Sequence, residues 1–394
     1  MIGAIVPYLT RIRRSYQSND LVDRLNYHYT AFMIALGAVT LAASQYVGKP
    51  IQCWVPPQFT GSWEKYTESY CFIKGSYFVP DDEHPDQDFI KRDEAVIGYY
   101  QWIPLVLAFQ AFCFYLPCVI WQGLNSASGI NVKDVLENSA KIKKNVTTRE
   151  RESQVTKAAD HLQEALELQR ELKSESGFVS RMRKSGHYLV VLYIFTKLLY
   201  VFNIFMQFCI FAIFLDTRNL CWGYTIFTDI INGREWDKTG NFPRVTMCDF
   251  NVRVLGAMHR WTVQCVLVMN MIAEKIFIFY WFWFILVGVL SILSLGYWLC
   301  ALTASSLQRN FIAKYLRCLQ AATDSPADDV RISAFVRHFL TGDGVFLLRL
   351  VQVNGGDILT GEIIVALYDK YTKRFDKEFA PESPTSSVTA TLPR

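Results

Sequence analysis

The stretch Tyr99–Trp121, YYQWIPLVLAFQAFCFYLPCVIW, decides the fold. It carries no charged residue over 23 positions, which is long enough to cross a bilayer core of ~30 Å as a helix rising ~1.5 Å per residue. Tyr99, Tyr100 and Trp102 crowd one end, and Tyr115 and Trp121 the other. Amphipathic rings settle at the membrane–water boundary, so both ends are marked. Pro104 falls in the first turn or so, where its missing N–H costs little or where it kinks the helix and a neighbour satisfies the freed carbonyl.

Working outward, three more apolar blocks match it: 29–47, 188–215 and 276–302, with 99–121 the second of four spans. The remaining segments are 1–28, 48–98, 122–187, 216–275 and 303–394. The chain has 394 residues, 51% hydrophobic, 15% aromatic and only 19% charged, which places it among membrane proteins. A dispersed net charge of +4 excludes a nucleic-acid partner. No GxxxxGK[ST], HExxH or GxSxG occurs, the ten cysteines form no CxxC, and no intramembrane His/Asp/Glu cluster offers chemistry. We therefore expect no catalytic residue, no cofactor and no metal.

Residues 2–10 (IGAIVPYLT) are apolar and precede Arg11, Arg13 and Arg14. That order is the reverse of a signal peptide, so the segment reads as retained. Four spans put both termini on one side. The N-terminal segment, middle loop and tail hold 27 Lys and Arg, against 12 in segments 48–98 and 216–275. By the positive-inside rule the termini and middle loop are cytoplasmic and the cysteine-bearing loops extracellular. The only sequon, Asn145-Val146-Thr147, then lies unused in the cytosol. Thr148–Ser176 has helical composition with Val155, Ala158, Ala159, Leu162, Leu166 and Leu172 roughly on one face, so that helix and the tail helices read as a cytoplasmic dome. The last fifteen residues read as disordered.

Each outer loop carries one widely spaced pair, Cys53 with Cys71 and Cys248 with Cys265. The compartment is oxidising, so the four read as two disulfides. Three pairings are open from sequence. Bridges between the loops staple one platform; bridges within them leave two independent loops. Cys221, just past the third span, makes the count odd and reads as a buried thiol at the membrane edge.

Four spans, two cysteines per outer loop, YYQW at the second span, NGREWDKTGNFPRVTMCDF (232–250), EKIFIFYWFW (274–283) and LTGDGVFLLRLVQVNGGD (340–357) together resemble the innexins, invertebrate gap-junction subunits. Connexins carry three cysteines per outer loop, and the CCG of tetraspanins is absent. The resemblance implies an all-α membrane protein with disulfide-linked outer loops. It also implies a homo-oligomeric ring, an octamer, docking with a ring in the neighbouring cell, with other innexins as further partners. Ions and small metabolites pass through its pore. It maps the disulfides to Cys53–Cys265 and Cys71–Cys248. It places the protein in the plasma membrane at cell–cell junctions, in contact with lipid. A non-junctional hemichannel and a non-conducting four-span adhesion protein are the alternatives. The lack of an external sequon favours docking.

For the pore, Ala31, Ala35, Ala38, Ala42 and Gln45 recur at helical spacing as a small-residue stripe. Such a stripe serves a pathway wall or close helix packing. The resemblance favours lining by part of it and by residues 2–10, with Ile2, Ala4 and Ile5 as a constriction. Lys197, the one charge within a span, is expected to snorkel to the inner interface. The acidic run around His84 lacks calcium-loop spacing and reads as a solvated tip.

Overall fold

The computed structural model describes residues 19–80, 83–125, 128, 132, 148–171, 185–214, 222–232 and 242–379. Residues 2–10, Cys221, the sequon and the last fifteen residues lie outside these.

Four helices are long and apolar enough to cross a membrane: α1 Leu21–Tyr46, α4 Tyr99–Asn125, α6 Tyr188–Phe214 and α8 Val268–Thr303. Each overlaps one expected span: α1 and α6 end one residue short of theirs, and α1 and α8 begin eight residues earlier, at Leu21 and Val268. α1 starts at Leu21 and passes through a π-helical turn, Leu25–Thr30. α8 starts at Val268 and takes in Glu274, which is fully buried and bonded to Arg244 at 3.2 Å. In both helices the added segment carries a charge with a partner within the fold, Asp23 with Lys197 and Glu274 with Arg244.

The chain forms two compact units. One comprises Leu21–Ile120 and Phe195–Gly296. Between its spans it holds β1 Gln52–Trp54, α2 Gly61–Lys74, β2 Ser76–Tyr77, α3 Phe89–Glu94, β3 Val96–Ile97, α7 Trp222–Ile231, β4 Val245–Val254 and β5 Ala257–Val266. The strands form one five-stranded sheet in the order β1-β5-β4-β2-β3, antiparallel at every pairing. Thus strands of the first outer loop flank a ribbon made by the second. The expected all-α membrane fold with disulfide-linked loops is present, and the sheet within those loops is the addition. β4 and β5 pair in register through Val254↔Ala257, and Leu255 (φ 50) and Gly256 (φ 85) make a two-residue turn. Positive φ at both turn residues matches the twist of a hairpin. Gly75 (φ 99) ends α2 where a Cβ would meet the Ile97 carbonyl oxygen at 2.9 Å, so only glycine fits there.

In the same unit α1 packs along α8. Tyr280 Oη donates to the Met33 carbonyl at 2.7 Å, beside Gly37, whose missing side chain makes room for the phenol. Trp283 Nε1 donates to Thr30 Oγ1 at 3.0 Å and Asn26 Nδ2 to Ser291 Oγ at 2.9 Å. Phe114, Phe211, Phe277 and Phe284 fill the core beside these contacts.

The other unit comprises Met1–Asp20, Trp121–Ile194 and Tyr297–Arg394. It contains α5 Thr148–Glu171, α9 Ser305–Cys318, α10 Pro326–Ala334 with a following π turn Phe335–Leu340, α11 Thr341–Gly355 and α12 Asp357–Phe379. Val155, Ala159, Leu162 and Leu166 of α5 are buried in its core. Arg151–Glu362 (3.0 Å), Arg374–Glu167 (2.5 Å) and Lys370–Asp160 tie α5 to α12. The middle loop and the tail therefore build one helical body, and α11 is buried along most of its length.

Candidate functional site

The outer sheet is cross-linked twice. Cys53 on β1 is bonded to Cys265 on β5 (S–S 2.05 Å), and the two residues are direct partners in the strand register. Cys71, in the last turn of α2, is bonded to Cys248 on β4 (S–S 2.01 Å). The Sγ atoms of Cys53, Cys71 and Cys265 lie within 4.8 Å of one another, so the two bridges adjoin in one buried cluster. Each bridge joins the first outer loop to the second, across 212 and 177 residues of chain. Spacing alone left the pairing open; the strand register is what brings these partners together.

A polar knot reinforces the same junction. Asp249 on β4 accepts from Arg260 (3.1 Å), Arg92 (3.3 Å) and Tyr77 Oη (3.2 Å). Arg260 also lies 3.5 Å from the centre of the Phe89 ring. Burial pushes the Asp249 carboxyl up, but hydrogen bonds from Thr262 and Arg260 and the charge of Arg92 outweigh it, so it sits below the ordinary carboxylate range. The Tyr77 phenol is pushed up to about 12 by burial and by the neighbouring Asp249 charge. Past this knot the ribbon continues without flanking strands: β1 pairs only with 264–266, and β2 only with Met247. Its tip carries Leu255, fully exposed, and Met258, largely exposed.

Within the spans, the expectation for Lys197 is corrected. Its side chain is 3% exposed, with Nζ 2.8 Å from Asp23 Oδ1 and 2.7 Å from Ser294 Oγ. It does not snorkel, because α1 and α8 bring it a carboxylate and a hydroxyl inside the fold. Asp23 was placed in the N-terminal segment by sequence and so passed over. The small-residue stripe does not share one environment. Ala35 is exposed, Ala31, Ala42 and Gln45 are half-buried, and Ala38 is packed in the core with Ile34 and Leu41. Ala38 is therefore protomer core and cannot form part of a wall. Pro104 lies in the first turn of the regular α-helix that follows the 3₁₀ turn Tyr99–Trp102, where the helix needs few backbone donors. The proline inside that helix is Pro117, which the sequence reading did not single out.

In the helical body, the stretch LTGDG has a physical role. Asp343 is fully buried on α11, and its Oδ1 accepts the N–H of Val190, the third residue of α6. A tail residue thus caps the start of a span, as a capping carboxylate does in a single helix. Trp121, Tyr193, Trp298 and Phe346 form an aromatic cluster, with Tyr193 4.9 Å from Phe346 and 5.0 Å from Trp298 between ring centres. Trp298 Nε1 also donates to Asp20 Oδ2 at 3.1 Å, which pins the residue just before α1.

Comparison with known proteins agrees with this architecture. The family model described as Innexin matches residues 19–371. Innexin-5 of Caenorhabditis elegans is 42% identical over 406 residues, covering 100% of this chain and 90% of that protein. Innexin unc-9 of the same species is 40% identical over 359 residues, covering 90% and 92%. Innexin-19 of Caenorhabditis briggsae is 33% identical over 396 residues, covering 94% and 90%. With four apolar helices, a disulfide-linked outer sheet and a family match over nearly its whole length, the chain belongs to the innexins, the multi-pass gap-junction channel subunits.

Proposed function

We propose that this chain forms an octameric ring with cytoplasmic termini, and that the outer ribbons of two facing rings dock to close a passage for ions and small metabolites. One observation carries the reading: a ribbon held rigidly at its base by two disulfides and the Asp249 knot, yet free at its tip, where Leu255 and Met258 are bare. Exposed apolar side chains on a rigid projection mark a contact surface. The Ala31, Ala35, Ala42 and Gln45 face of α1 lines part of the wall. Selectivity is coarse, set by width and by charge at the mouths.

The test is paired-cell recording of Leu255→Asp. A charge on each ribbon tip should abolish current between cells while sparing current across a free membrane. Full junctional current in this variant, at native surface density, refutes docking through the ribbon.

A further inference from the structure

The helical body of Trp121–Ile194 and Tyr297–Arg394 contains a pocket of about 330 Å³. Its polar wall includes His187, Ser305, Ser306, Arg309, Arg337 and Thr341, and among the described residues no carboxylate lines it. Neither Arg309 nor Arg337 has a carboxylate partner among the described residues, whereas Arg317 on the same helix as Arg309 is held by Asp324 and Asp329 at 2.7 and 2.8 Å. His187 Nδ1 is engaged by the Ser185 carbonyl oxygen at 2.6 Å, which leaves Nε2 open. α9 starts against this wall, and its N-cap, Ala304, offers no capping side chain to the first N–H groups. Two guanidiniums, an imidazole, hydroxyls and an uncapped helix start converge on one cavity, and together they favour an anion with several acceptor oxygens.

The backbone here is tightly constrained. Thr341 adopts φ 55, a left-handed conformation rare for a β-branched residue, and Gly342 sits where a Cβ would meet the His187 ring at 2.8 Å. Arg337 stands on the π turn Phe335–Leu340. The position along the chain narrows the ligand further. His187 immediately precedes α6, and Ser305 follows the last residue of α8, Thr303, after a single residue. Both helices are candidate spans by length and composition, and the pocket adjoins the start of one and the end of the other, where a lipid headgroup is one source of such an anion. Its volume suits a phosphate ester better than a lone ion.

We propose that this pocket binds a phosphate group, the chemistry shared by a phosphoinositide headgroup and inorganic phosphate. The experiment uses full-length protein in detergent, with short-chain phosphatidylinositol 4,5-bisphosphate as one probe and inorganic phosphate as the other. Arg309→Gln and Arg337→Gln should each weaken binding roughly tenfold, the loss of one charge-assisted hydrogen bond. Arg331→Gln, exposed on α10 but outside the pocket, should leave binding unchanged. Both pocket arginines are exposed, so the variants should keep the native elution on gel filtration, and if one does not the other still decides. Lipid binding that resists millimolar phosphate identifies the headgroup as ligand; equal competition identifies free phosphate. Native protein that binds neither probe overturns the proposal, as does an Arg331→Gln loss equal to that of the pocket variants.

Discussion

The ammonium of Lys197 lies 2.8 Å from the carboxylate of Asp23, and each side chain is 3% exposed. This pair joins the start of α1 to α6 within a region where water is scarce. Such a pair gains little net stability over an apolar one, but losing one partner strands the other charge. Asp23→Ala or Lys197→Ala should cost about 3–5 kcal/mol and lower the melting temperature of the purified channel sharply. The double variant Asp23→Leu with Lys197→Met should recover most of that loss. Thermal unfolding followed by gel filtration decides between these outcomes. Single variants as stable as the native protein would show that the pair is not the brace inferred here.

The outer platform depends on which cysteines are joined. Non-reducing peptide mapping should recover Cys53 with Cys265 and Cys71 with Cys248. Removing one bridge, as in Cys53→Ser with Cys265→Ser, should cost about 2–5 kcal/mol of platform stability, since each bridge closes a long stretch of chain. A peptide linking Cys53 to Cys71 contradicts the inter-loop staple.

Asp249 sets the acid limit of that platform. Its carboxyl is below the ordinary range in the folded protein, because hydrogen bonds from Thr262 and Arg260 and the Arg92 charge outweigh the cost of burial. A group of this kind stabilises fully above its unfolded pKa of ~3.9 and loses that contribution as pH falls through the lower folded value. Stability of the outer sheet should therefore stay flat from about pH 7 to 5 and drop below about 4. Asp249→Asn should be less stable at neutral pH and show a shallower acid fall. An acid profile identical to that of the native protein removes Asp249 as its source.

Ala35 and Ala38 lie on the same helix but in different surroundings, one exposed and one in the core. If α1 contributes the wall, a charged thiol reagent should reduce current through Ala35→Cys channels and leave Ala38→Cys no more sensitive than the native protein. Equal insensitivity at both positions moves the wall away from this face.

How much of this was legible beforehand differs from element to element. The four spans were readable because uncharged runs such as Tyr99–Trp121 have no soluble alternative. The starts of α1 and α8 were not, because the added turns carry Asp23 and Glu274, whose partners Lys197 and Arg244 come from elsewhere in the chain. The ribbon was present as alternation: Thr246, Cys248 and Phe250 are buried while Asn251 and Arg253 are more open, and a glycine sits at the turn. That strand signal was available and was passed over because the segment was read only as a loop. The stretch LTGDG marked the family but not its own purpose, since the helix that Asp343 caps begins at Tyr188. Local pattern cannot show a cap supplied from another part of the chain.

The central claim is that this chain, acting alone, joins two cytoplasms. The direct measurement is dual voltage-clamp recording from two touching cells that express only this protein, with surface density quantified. The account predicts current between the cells, and its loss when Leu255 is replaced by Asp while free-membrane current persists. Current confined to the free membranes of native-expressing pairs, with protein abundant at the contact, would contradict it.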